Sequence, residues 1–542
     1  MNNRADTHGT THADAPETQA DVIAFLTDPR SYRGRLHPDP VEHVETIETH
    51  GARIFLAGDR AYKLKRAVKL SYLDFSTLER RERACRHELE RNHGFAPSIY
   101  IGVEPIVRTT NGNLAIGGEG DVLDWVVIMH RFDQQQLLNN LASHNALEHR
   151  HINDLAATIA SVHAHARTRE TAHYDEHIER VVSSLCSAMR ARPDVIDPIR
   201  LKAYEAATRS ALENNRDLLN TRGRNGHVRL CHGDLHLQNI VLLDDHPTLF
   251  DAIEFDDTIA TIDVLYDLAF LIMDLWHRKL HHHANACLSG YAARAMDRDA
   301  LAGLALLGLF VSARAGVRAM VGLDRLKTST GANRNDTVAE VRSYFELAAK
   351  ALHPKPPVLI AIGGLSGSGK STIARGLAPS VGSIPGALHL RSDVERKIML
   401  GKPPLDPLPP SAYGQDTTDA VYARLGDRAL AALKTGHSII VDATFLEASR
   451  RLAIEEIAKS LNIPFRGLWL NAPHKTLLER VEARTGDASD ADQSVVKRQI
   501  KTTAEPGAWT PIDAVAHVEV VLQRVRQTLL ETPDLSPSLE KD

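Results

Sequence analysis

Residues 232–239 read HGDLHLQN, and this polar stretch between two apolar runs decides the fold of the first half of the chain. The apolar run that follows ends in LFDAIE at residues 249–254, which places Asp251 one hairpin later. A carboxylate can accept a proton, and carboxylate and amide oxygens are ligands that Mg²⁺ prefers. Asp234 is a candidate catalytic base, and Asn239 and Asp251 are candidate metal ligands.

The same residues resemble a known group of kinases. HGDxxxxN is the catalytic loop of the aminoglycoside and choline kinases, distant relatives of the protein kinases, and the Asp-to-Asn spacing is that of the protein-kinase HRDxxxxN loop. The resemblance covers roughly residues 45–345 and implies a bilobal, protein-kinase-like α+β domain that uses ATP and Mg²⁺. It also implies that an acid of DVLYDLAF, Asp263 or Asp267, braces the catalytic loop. The alternative is a chance turn with solvated acidic residues.

A hairpin and a charged helix lie upstream of this loop. Residues 52–68 alternate between apolar and polar side chains around a Gly58–Asp59 turn, which predicts two antiparallel strands. A helix is predicted to begin at Ser76, where the segment STLE forms a capping box with Glu79, and to end near Gly94.

The hairpin is expected to carry the lysine that contacts the α- and β-phosphates of the nucleotide, and an acid of the following helix is expected to pair with it. Lys63 and Lys65 lie on one face of the strand, because side chains alternate with a period of two. We select Lys63 as the ATP-binding lysine and Glu88 as its partner. Glu82 and Glu90 share the helix with Glu88, and a solvated charged face would give the same pattern.

A phosphate-binding loop opens the second half of the chain. Residues 364–371, GLSGSGKS, fit the pattern GxxxxGK[ST] after the apolar strand VLIAIG and before the helix STIARGLA. Backbone N–H groups of such a loop surround the phosphates, Lys370 reaches the β- and γ-phosphate oxygens, and Ser371 binds Mg²⁺. The alternative is a glycine-rich structural turn. The predicted ATP-binding residues of this loop are Gly364, Gly367, Ser368, Gly369, Lys370, Ser371 and Thr372.

The next predicted strand ends in Arg391-Ser392-Asp393. This sequence resembles small P-loop kinases of the gluconate, zeta-toxin and polynucleotide kinase groups. In those kinases an Asp at this position contacts the acceptor hydroxyl. The resemblance makes Asp393 a candidate catalytic base, and Arg391 and Arg396 candidate phosphate or substrate ligands. Helix capping is the alternative role for these residues. Asp442 ends a third strand and is either a Walker-B-like acid or a substrate-site residue.

Two further arginines lie on the helix HKTLLERVEART. Arg480 and Arg484 are four residues apart, hence on one face, and precede the polar segment GDASDADQS. That order resembles a lid whose arginine closes over the transferred phosphate, although a solvated helix face would have the same spacing. The segments YKLKR, LDFSTLERR and HGDLHLQN also occur together, fused to a P-loop kinase, in a branch called bifunctional phosphotransferase/ATP-binding proteins.

The composition excludes several classes of protein. Lys and Arg total 64 against 69 Asp and Glu, for a net charge of −5, so nucleic acid is not favoured as a partner. The four cysteines lack disulfide or metal-ligand spacing, which is typical of a reduced cytosolic protein, so we expect a cytoplasmic location. The most apolar segment, 301–323, contains Arg314 and Arg318 and is predicted to be a buried helix rather than a membrane span.

These patterns predict two domains of unrelated fold. The second domain alternates apolar runs with helical stretches, which predicts an α/β fold with a parallel sheet. Its predicted strands are VLIAIGG, ALHLRSD, SIIVDAT, FRGLWL and AVAHVEV. The predicted divisions are a disordered tail at 1–20, a phosphotransferase-like domain at 21–350, a Pro-rich linker at 351–357, a P-loop domain at 358–528 and a mobile tail at 529–542.

The favoured hypothesis is a bifunctional phosphotransferase that uses ATP and Mg²⁺. Its two sites would each phosphorylate a hydroxyl group of a small molecule, such as a sugar, an amino sugar or a related alcohol. Two alternatives stay open for the P-loop domain. It is a regulatory ATP sensor, or it is a toxin-like or nucleic-acid 5′-hydroxyl kinase.

Overall fold

The computed structural model describes residues 19–32, 40–49, 51–69, 73–327, 331–484, 486–502, 506–532 and 534–539. Residues 1–18 of the predicted amino-terminal tail lie outside this part of the chain. The described residues group into two compact units. One unit contains the chain up to residue 136 together with 249–257, and the other contains 137–248 together with the chain from 258 onward. The division falls inside the predicted first domain and not at the predicted linker.

The first unit is built on an antiparallel sheet. Its elements are α1 (Ala20–Thr27), β1 (Val44–Glu48), β2 (Ala52–Ala57), β3 (Arg60–Lys65), α2 (Leu78–His93), β4 (Tyr100–Arg108), β5 (Leu114–Ile116) and β6 (Asp121–His130). Within the described residues the sheet has six strands in the order β1-β2-β3-β6-β4-β5. The predicted hairpin is confirmed, because β2 pairs with β3 across the Gly58 turn. Tyr62 and Leu64 enter the core, so the opposite face of β3 carries Lys63 and Lys65.

The predicted capping box of helix α2 is wrong. The N-cap is Thr77, whose hydroxyl oxygen accepts a hydrogen bond from the N–H of Arg80 at 3.4 Å. Ser76 does not cap the helix, because its hydroxyl group donates to Asp74 at 2.6 Å. The predicted end of the helix near Gly94 is confirmed.

The second unit begins with a helical lobe, as predicted. Residues 298–325 are long and apolar enough to cross a membrane, but 78% of their most apolar window is buried inside the protein. Arg314 is also buried there and donates to the carbonyl oxygen of Tyr266 at 3.0 Å. The segment is therefore a core helix. The elements of the lobe are α3 (Leu138–Ser143), α4 (His149–His165), α5 (Tyr174–Arg190), α6 (Pro198–Arg224), β7 (Val228–Leu230), β8 (Ile240–Leu243), β9 (His246–Leu249), α7 (Asp257–Ala260), β10 (Thr261–Asp263), α8 (Val264–His277), α9 (His281–Ala295), α10 (Arg298–Leu301), α11 (Leu307–Arg325) and α12 (Gly331–Ala351).

A parallel sheet with helices forms the rest of this unit, which confirms the predicted α/β fold. Its elements are β11 (Leu359–Gly364), α13 (Lys370–Leu377), β12 (Leu388–Arg391), α14 (Ser392–Met399), α15 (Gln415–Leu433), β13 (Ile439–Asp442), α16 (Ala448–Ser460), β14 (Phe465–Asn471), α17 (His474–Glu482), α18 (Gln493–Thr502), β15 (Thr510–Asp513) and α19 (Val518–Leu530). Among the described residues the sheet has five strands in the order β12-β13-β11-β14-β15, all parallel. The edge strand β12 leads into α14.

The predicted fifth strand, AVAHVEV at 514–520, is wrong. The strand lies earlier, at β15, and helix α19 begins at Val518 within the predicted strand. Val521, Val525 and Leu529 repeat at helical spacing and bury one face of α19, and this burial outweighs the alternating pattern before them.

The prediction of a mobile tail from residue 529 does not hold for residues 534–539. Leu535 and Leu539 belong to the same buried core as β11 and α13. The N–H of Gly382 donates to the carbonyl oxygen of Ser538 at 2.6 Å, and Val381 forms an antiparallel bridge with Leu539. Two apolar side chains among prolines and serines are enough to hold this segment on the P-loop domain.

Candidate active sites

Two lysines of the first unit share one buried glutamate. Lys63 Nζ donates to Glu88 Oε1 at 2.7 Å, and Lys65 Nζ lies 2.5 Å from Glu88 Oε2. Glu88 is 0% exposed, so its charge is compensated by both ammonium groups and not by water. The structure therefore forms the predicted Lys63–Glu88 pair, and Glu82 lies elsewhere on the helix surface, paired with Arg86.

Two acids from 249–257 complete this network. Asp251 Oδ1 lies 2.5 Å from Lys63 Nζ, and Glu254 pairs with Lys65. The side chain of Asp251 is 40% exposed, and its backbone has a φ of 59°, which is uncommon for a residue with a Cβ. Burial disfavours the charge of Lys63, but Asp251 and Glu88 hold its pKa well above the ordinary value. Glu254 was missed by sequence reasoning; its spacing of three from Asp251 could have suggested it.

The predicted catalytic loop places Asp234 and Asn239 next to each other. Asn239 Nδ2 donates to the carbonyl oxygen and to Oδ2 of Asp234, at 3.0 Å each. His236 Nε2 lies 3.3 Å from the same carboxylate oxygen. Burial acts to raise the pKa of Asp234, but His236 outweighs it and keeps the pKa below the usual range. The carboxylate is 37% exposed, so an ionised Asp234 can meet a ligand from solution.

A buried aspartate braces this loop, as the resemblance implied. The N–H groups of His232 and Gly233 donate to the carboxylate of Asp267 at 3.1 and 2.9 Å, and Gly233 has a φ of 85°. His163 Nε2 lies 3.2 Å from the same carboxylate. His163 had no predicted role. Its spacing on an alanine-rich helix gave no signal that distinguished it from a packed core histidine.

Asp263, the other acid offered for that role, does something else. Its carboxylate receives two hydrogen bonds from the guanidinium of Arg222, at 2.6 and 2.8 Å, and caps α8 by accepting from the N–H of Leu265. Asp274 supplies a second brace by accepting from the N–H of Leu237 at 3.0 Å. The catalytic loop is thus held by backbone bonds to two acids of α8.

The phosphate-binding loop lines a cavity of about 1180 Å³. Residues 366–372 form part of its wall, and Gly364 and Gly367 have positive φ values of 135° and 84°. A Cβ on Gly367 would lie 2.6 Å from the carbonyl oxygen of Leu477, so only glycine fits this turn. Lys370 Nζ donates to the carbonyl oxygen of Leu365 at 3.0 Å. The loop geometry is therefore fixed by contacts with the surrounding chain.

Two carboxylates on the wall of this cavity have opposite electrostatic surroundings. Burial raises the pKa of Asp393, although Arg391 acts against it. Burial also acts to raise the pKa of Asp442, but His389, Arg391 and Lys370 outweigh it and lower this pKa to about 2. Surroundings that shift the pKa values of two neighbouring carboxylates in opposite directions suit the two groups to different roles. Asp393 suits a proton acceptor, and Asp442 suits a permanent anion.

The predicted ligand arginines are distributed around the cavity. Arg396, Arg480 and Arg484 line it, whereas Arg391 bridges Asp442, at 3.7 Å, and Asp487, at 3.1 Å. In this structure the guanidinium of Arg396 donates to the carbonyl oxygen of Ala412, that of Arg480 to Val515 and that of Arg484 to Ala491, at 2.8, 3.3 and 2.6 Å. Each of the three has further N–H groups for a ligand.

The polar segment 486–492 contributes contacts that the sequence did not specify. Asp490 pairs with Lys397 at 3.0 Å and accepts from the hydroxyl of Tyr413 at 2.6 Å. Asp487 holds Arg391 from the same segment. The segment therefore lines the same cavity as Asp393, whose carboxylate is hydrogen-bonded to Ser489. Alternating acids in GDASDADQS were visible in the sequence, but their partners came from distant positions.

Comparison with known proteins defines the class. Residues 75–304 match the family described as "Phosphotransferase enzyme family", and residues 359–506 match the one described as "AAA domain". A phosphotransferase domain with an HGD loop, followed by a P-loop domain with a Walker A lysine, makes the chain an ATP-dependent kinase with two nucleotide-binding folds.

Known proteins match most of this chain or one part of it. An uncharacterized protein of Mycobacterium tuberculosis is 28% identical over 461 residues, which is 83% of this chain and 88% of that protein. A gluconokinase of Gluconobacter oxydans is 28% identical over 181 residues, 32% of this chain and 90% of the enzyme. The crystal structure of a choline/ethanolamine kinase family protein from Mesorhizobium loti covers 62% of this chain and 98% of its own, with 13% identity and a TM-score of 0.36.

Proposed function

We propose that the protein transfers the γ-phosphoryl group of ATP to hydroxyl groups of small molecules at two separate sites. Sugars, amino sugars and related alcohols are the acceptor classes. The observation that carries the proposal is that Lys370, suited to phosphate, and Asp393, suited to accept a proton, line one cavity. In the amino-terminal half, Lys63 and Asp234 supply the same two residue types. Because the proposed acceptors are small metabolites and the four cysteines lack disulfide or metal-ligand spacing, we place the reaction in the cytoplasm.

In the amino-terminal half, Asp234 orients the acceptor hydroxyl and takes its proton as the phosphoryl group leaves ATP. Asn239 and His236 hold the carboxylate in place and keep it ionised. Lys63, fixed by Glu88, contacts the α- and β-phosphates. The amide oxygen of Asn239 and the carboxylate of Asp251 are hard oxygen donors of the kind that Mg²⁺ prefers, and Mg²⁺ would neutralise charge on the phosphates.

In the carboxy-terminal half, Asp393 is the proton acceptor and Lys370 contacts the transferred phosphate. Ser371 and Asp442 present oxygen donors to Mg²⁺ from the wall of the same cavity. Arg396, Arg480 and Arg484 contact the acceptor or the phosphates, and Arg391 orients Asp442 and Asp393 from behind. The gluconokinase relative supports a polyol acceptor for this half.

The test is ATP consumption by wild type, Asp234→Ala and Lys370→Ala across sugars, amino sugars, nucleosides, aminoglycosides and an oligonucleotide with a free 5′-hydroxyl group. An activity removed by Asp234→Ala alone establishes the first kinase, and one removed by Lys370→Ala alone establishes the second. If Lys370→Ala changes only the ATP dependence of the first activity, the P-loop domain is a sensor. Transfer to the oligonucleotide would replace the small-molecule proposal for the second site.

A further inference from the structure

One face of helix α9, which belongs to the phosphotransferase half, contacts the P-loop half. Asn285, Ser289 and Ala292 are spaced by four and three residues and so share that face. Asn285 Nδ2 donates to the carbonyl oxygens of Pro385 and Ala387 at 3.1 and 2.9 Å. Asn285 is itself buried, so these bonds are shielded from water.

The contacted strand is the edge of the P-loop sheet. Strand β12 pairs on one side with β13, toward which the N–H of Leu388 points. On its other side the N–H of His389 donates to Ser289 Oγ at 3.2 Å, and the carbonyl oxygen of Ala387 accepts from Asn285. Side chains of α9 therefore satisfy backbone groups that an edge strand leaves unpaired.

A second link joins the same helix to α14. Arg428, on α15, donates to the carbonyl oxygens of Met296 and Ala292 at 2.5 and 2.9 Å, where the carboxyl end of α9 favours a cation. The Nε of the same guanidinium lies 3.0 Å from Glu395 Oε1 on α14. Arg428 and Glu395 are 3% and 1% exposed. Arg424, which also belongs to the P-loop half, pairs with the same carboxylate: its Nε lies 2.6 Å from Glu395 Oε2.

The two links bracket the proposed base of the second site. Strand β12 ends at Arg391, and Asp393 lies in the first turn of α14, two residues before Glu395. We propose that helix α9 is a positioning element of the second kinase site, so that Asp393 has its working placement only while the P-loop sheet is seated on the helical lobe of the first kinase. The inference rests on the proposed function only in naming Asp393 as the base.

Amide hydrogen exchange of residues 388–399 in the full-length protein tests this placement without any substrate. We expect Asn285→Leu and Arg428→Met each to raise the exchange rate of these amides by roughly tenfold or more, because they remove the outer support of β12 and α14. Arg428→Lys, which keeps the charge but cannot reach both carbonyls and Glu395, should give a smaller increase and guards against loss of folding. The matched control is Arg294→Met, on the opposite face of α9. Among the described residues its guanidinium donates only to the carbonyl oxygen of Gly290, on its own helix.

A turnover measurement supplies the functional readout. With Asp234→Ala silencing the first site, the same variants should lower kcat of the Lys370-dependent activity by roughly tenfold or more while leaving the KM for ATP within about twofold, because the phosphate-binding loop is untouched. Unchanged exchange at 388–399 in folded Asn285→Leu and Arg428→Met proteins would overturn the inference. If no Lys370-dependent turnover exists at all, the proposed function fails, and the exchange result still decides the inference.

Discussion

The lysines proposed to bind phosphate in the two halves have opposite electrostatic surroundings. Asp251 and Glu88 contact Lys63 and hold its pKa well above the ordinary value despite burial. Burial lowers the pKa of Lys370, more than Asp442 and Asp393 raise it, and none of the ion pairs among the described residues includes Lys370. The charge of Lys63 is therefore compensated by carboxylates of the protein, whereas a bound phosphate would compensate the charge of Lys370. Both lysines are proposed to bind phosphate. Lys63 is held in place by two carboxylates, whereas Lys370 is buried without an ion pair among the described residues.

Substitution of either lysine should have the largest effect. We expect Lys63→Ala and Lys370→Ala to reduce ATP turnover at their own sites by about 10²- to 10³-fold. Each substitution removes a positive charge that stabilises the negative charge of the phosphates in the transition state. Nucleotide affinity should fall more for Lys370→Ala, because no carboxylate there competes with phosphate. Turnover and nucleotide binding at each site, with the other silenced by Asp234→Ala or Asp393→Asn, measure both effects. Equal loss of affinity at the two sites would contradict the comparison.

Stability without nucleotide should separate the two lysines next. Glu88→Gln leaves two buried ammonium groups undercompensated and should cost about 3–5 kcal/mol of unfolding free energy. Lys370→Met should raise the thermal midpoint, because a lysine whose folded pKa lies below 10.5 is disfavoured by folding at all pH values below that. Denaturant unfolding measures the first result and thermal unfolding the second. Glu82→Gln, an exposed change on the same helix as Glu88, should stay within about 0.5 kcal/mol of wild type.

The pH dependence of the second site sharpens its electrostatic description. Since Arg391 lowers the pKa of Asp393 against the effect of burial, Arg391→Met should raise that pKa further. Activity needs ionised Asp393, so the acidic limb of the kcat profile should move to higher pH. Arg450→Met, which changes a cavity arginine that is paired with Asp419 and Glu447, is the control. A limb at the same pH in Arg391→Met would show that another group is the base.

The smallest effect concerns the first site. Burial acts to lower the pKa of His236, but Asp234 outweighs it and raises the folded pKa above 6.5. The pair therefore stabilises the protein fully between pH 3.8 and 6.5, the ordinary pKa values of the two groups. This contribution is lost as the pH rises through the folded pKa of His236 or falls through the folded pKa of Asp234. His236→Asn should destabilise the protein most between these two pH values. Unfolding titrations checked against an Asp234→Asn background, where the pH-dependent difference should vanish, isolate the pair.

Local sequence patterns carried most of the fold and the central residues of both sites. The alternation in ARIFLAGDRAYKLKR predicted β2 and β3, and the Walker A motif predicted the loop between β11 and α13. Such features depend on neighbours within a few residues. The prediction of the α2 cap was wrong at the same local scale. The hydroxyl of Ser76 donates to Asp74, and Thr77 caps the helix instead.

Long-range partners escaped prediction. Glu254 meets Lys65 from 189 residues away, and Asp490 meets Lys397 from 93. Nothing in the neighbourhood of Asn285 signals that it binds Pro385 and Ala387, since an asparagine on a helix is ordinarily solvated. These contacts exist only once the tertiary fold brings the elements together.

The covered edge of β12 has a consequence for anyone who cuts the chain at the proline-rich segment near residue 355. A fragment that starts there keeps the whole P-loop sheet but loses Asn285 and Ser289. The carbonyl of Ala387 and the N–H of His389 would then face water on an open sheet edge, and such edges pair readily with a second copy of themselves. We expect the isolated fragment to self-associate through β12, and the place where the sequence looks most severable is therefore the wrong place to divide the protein.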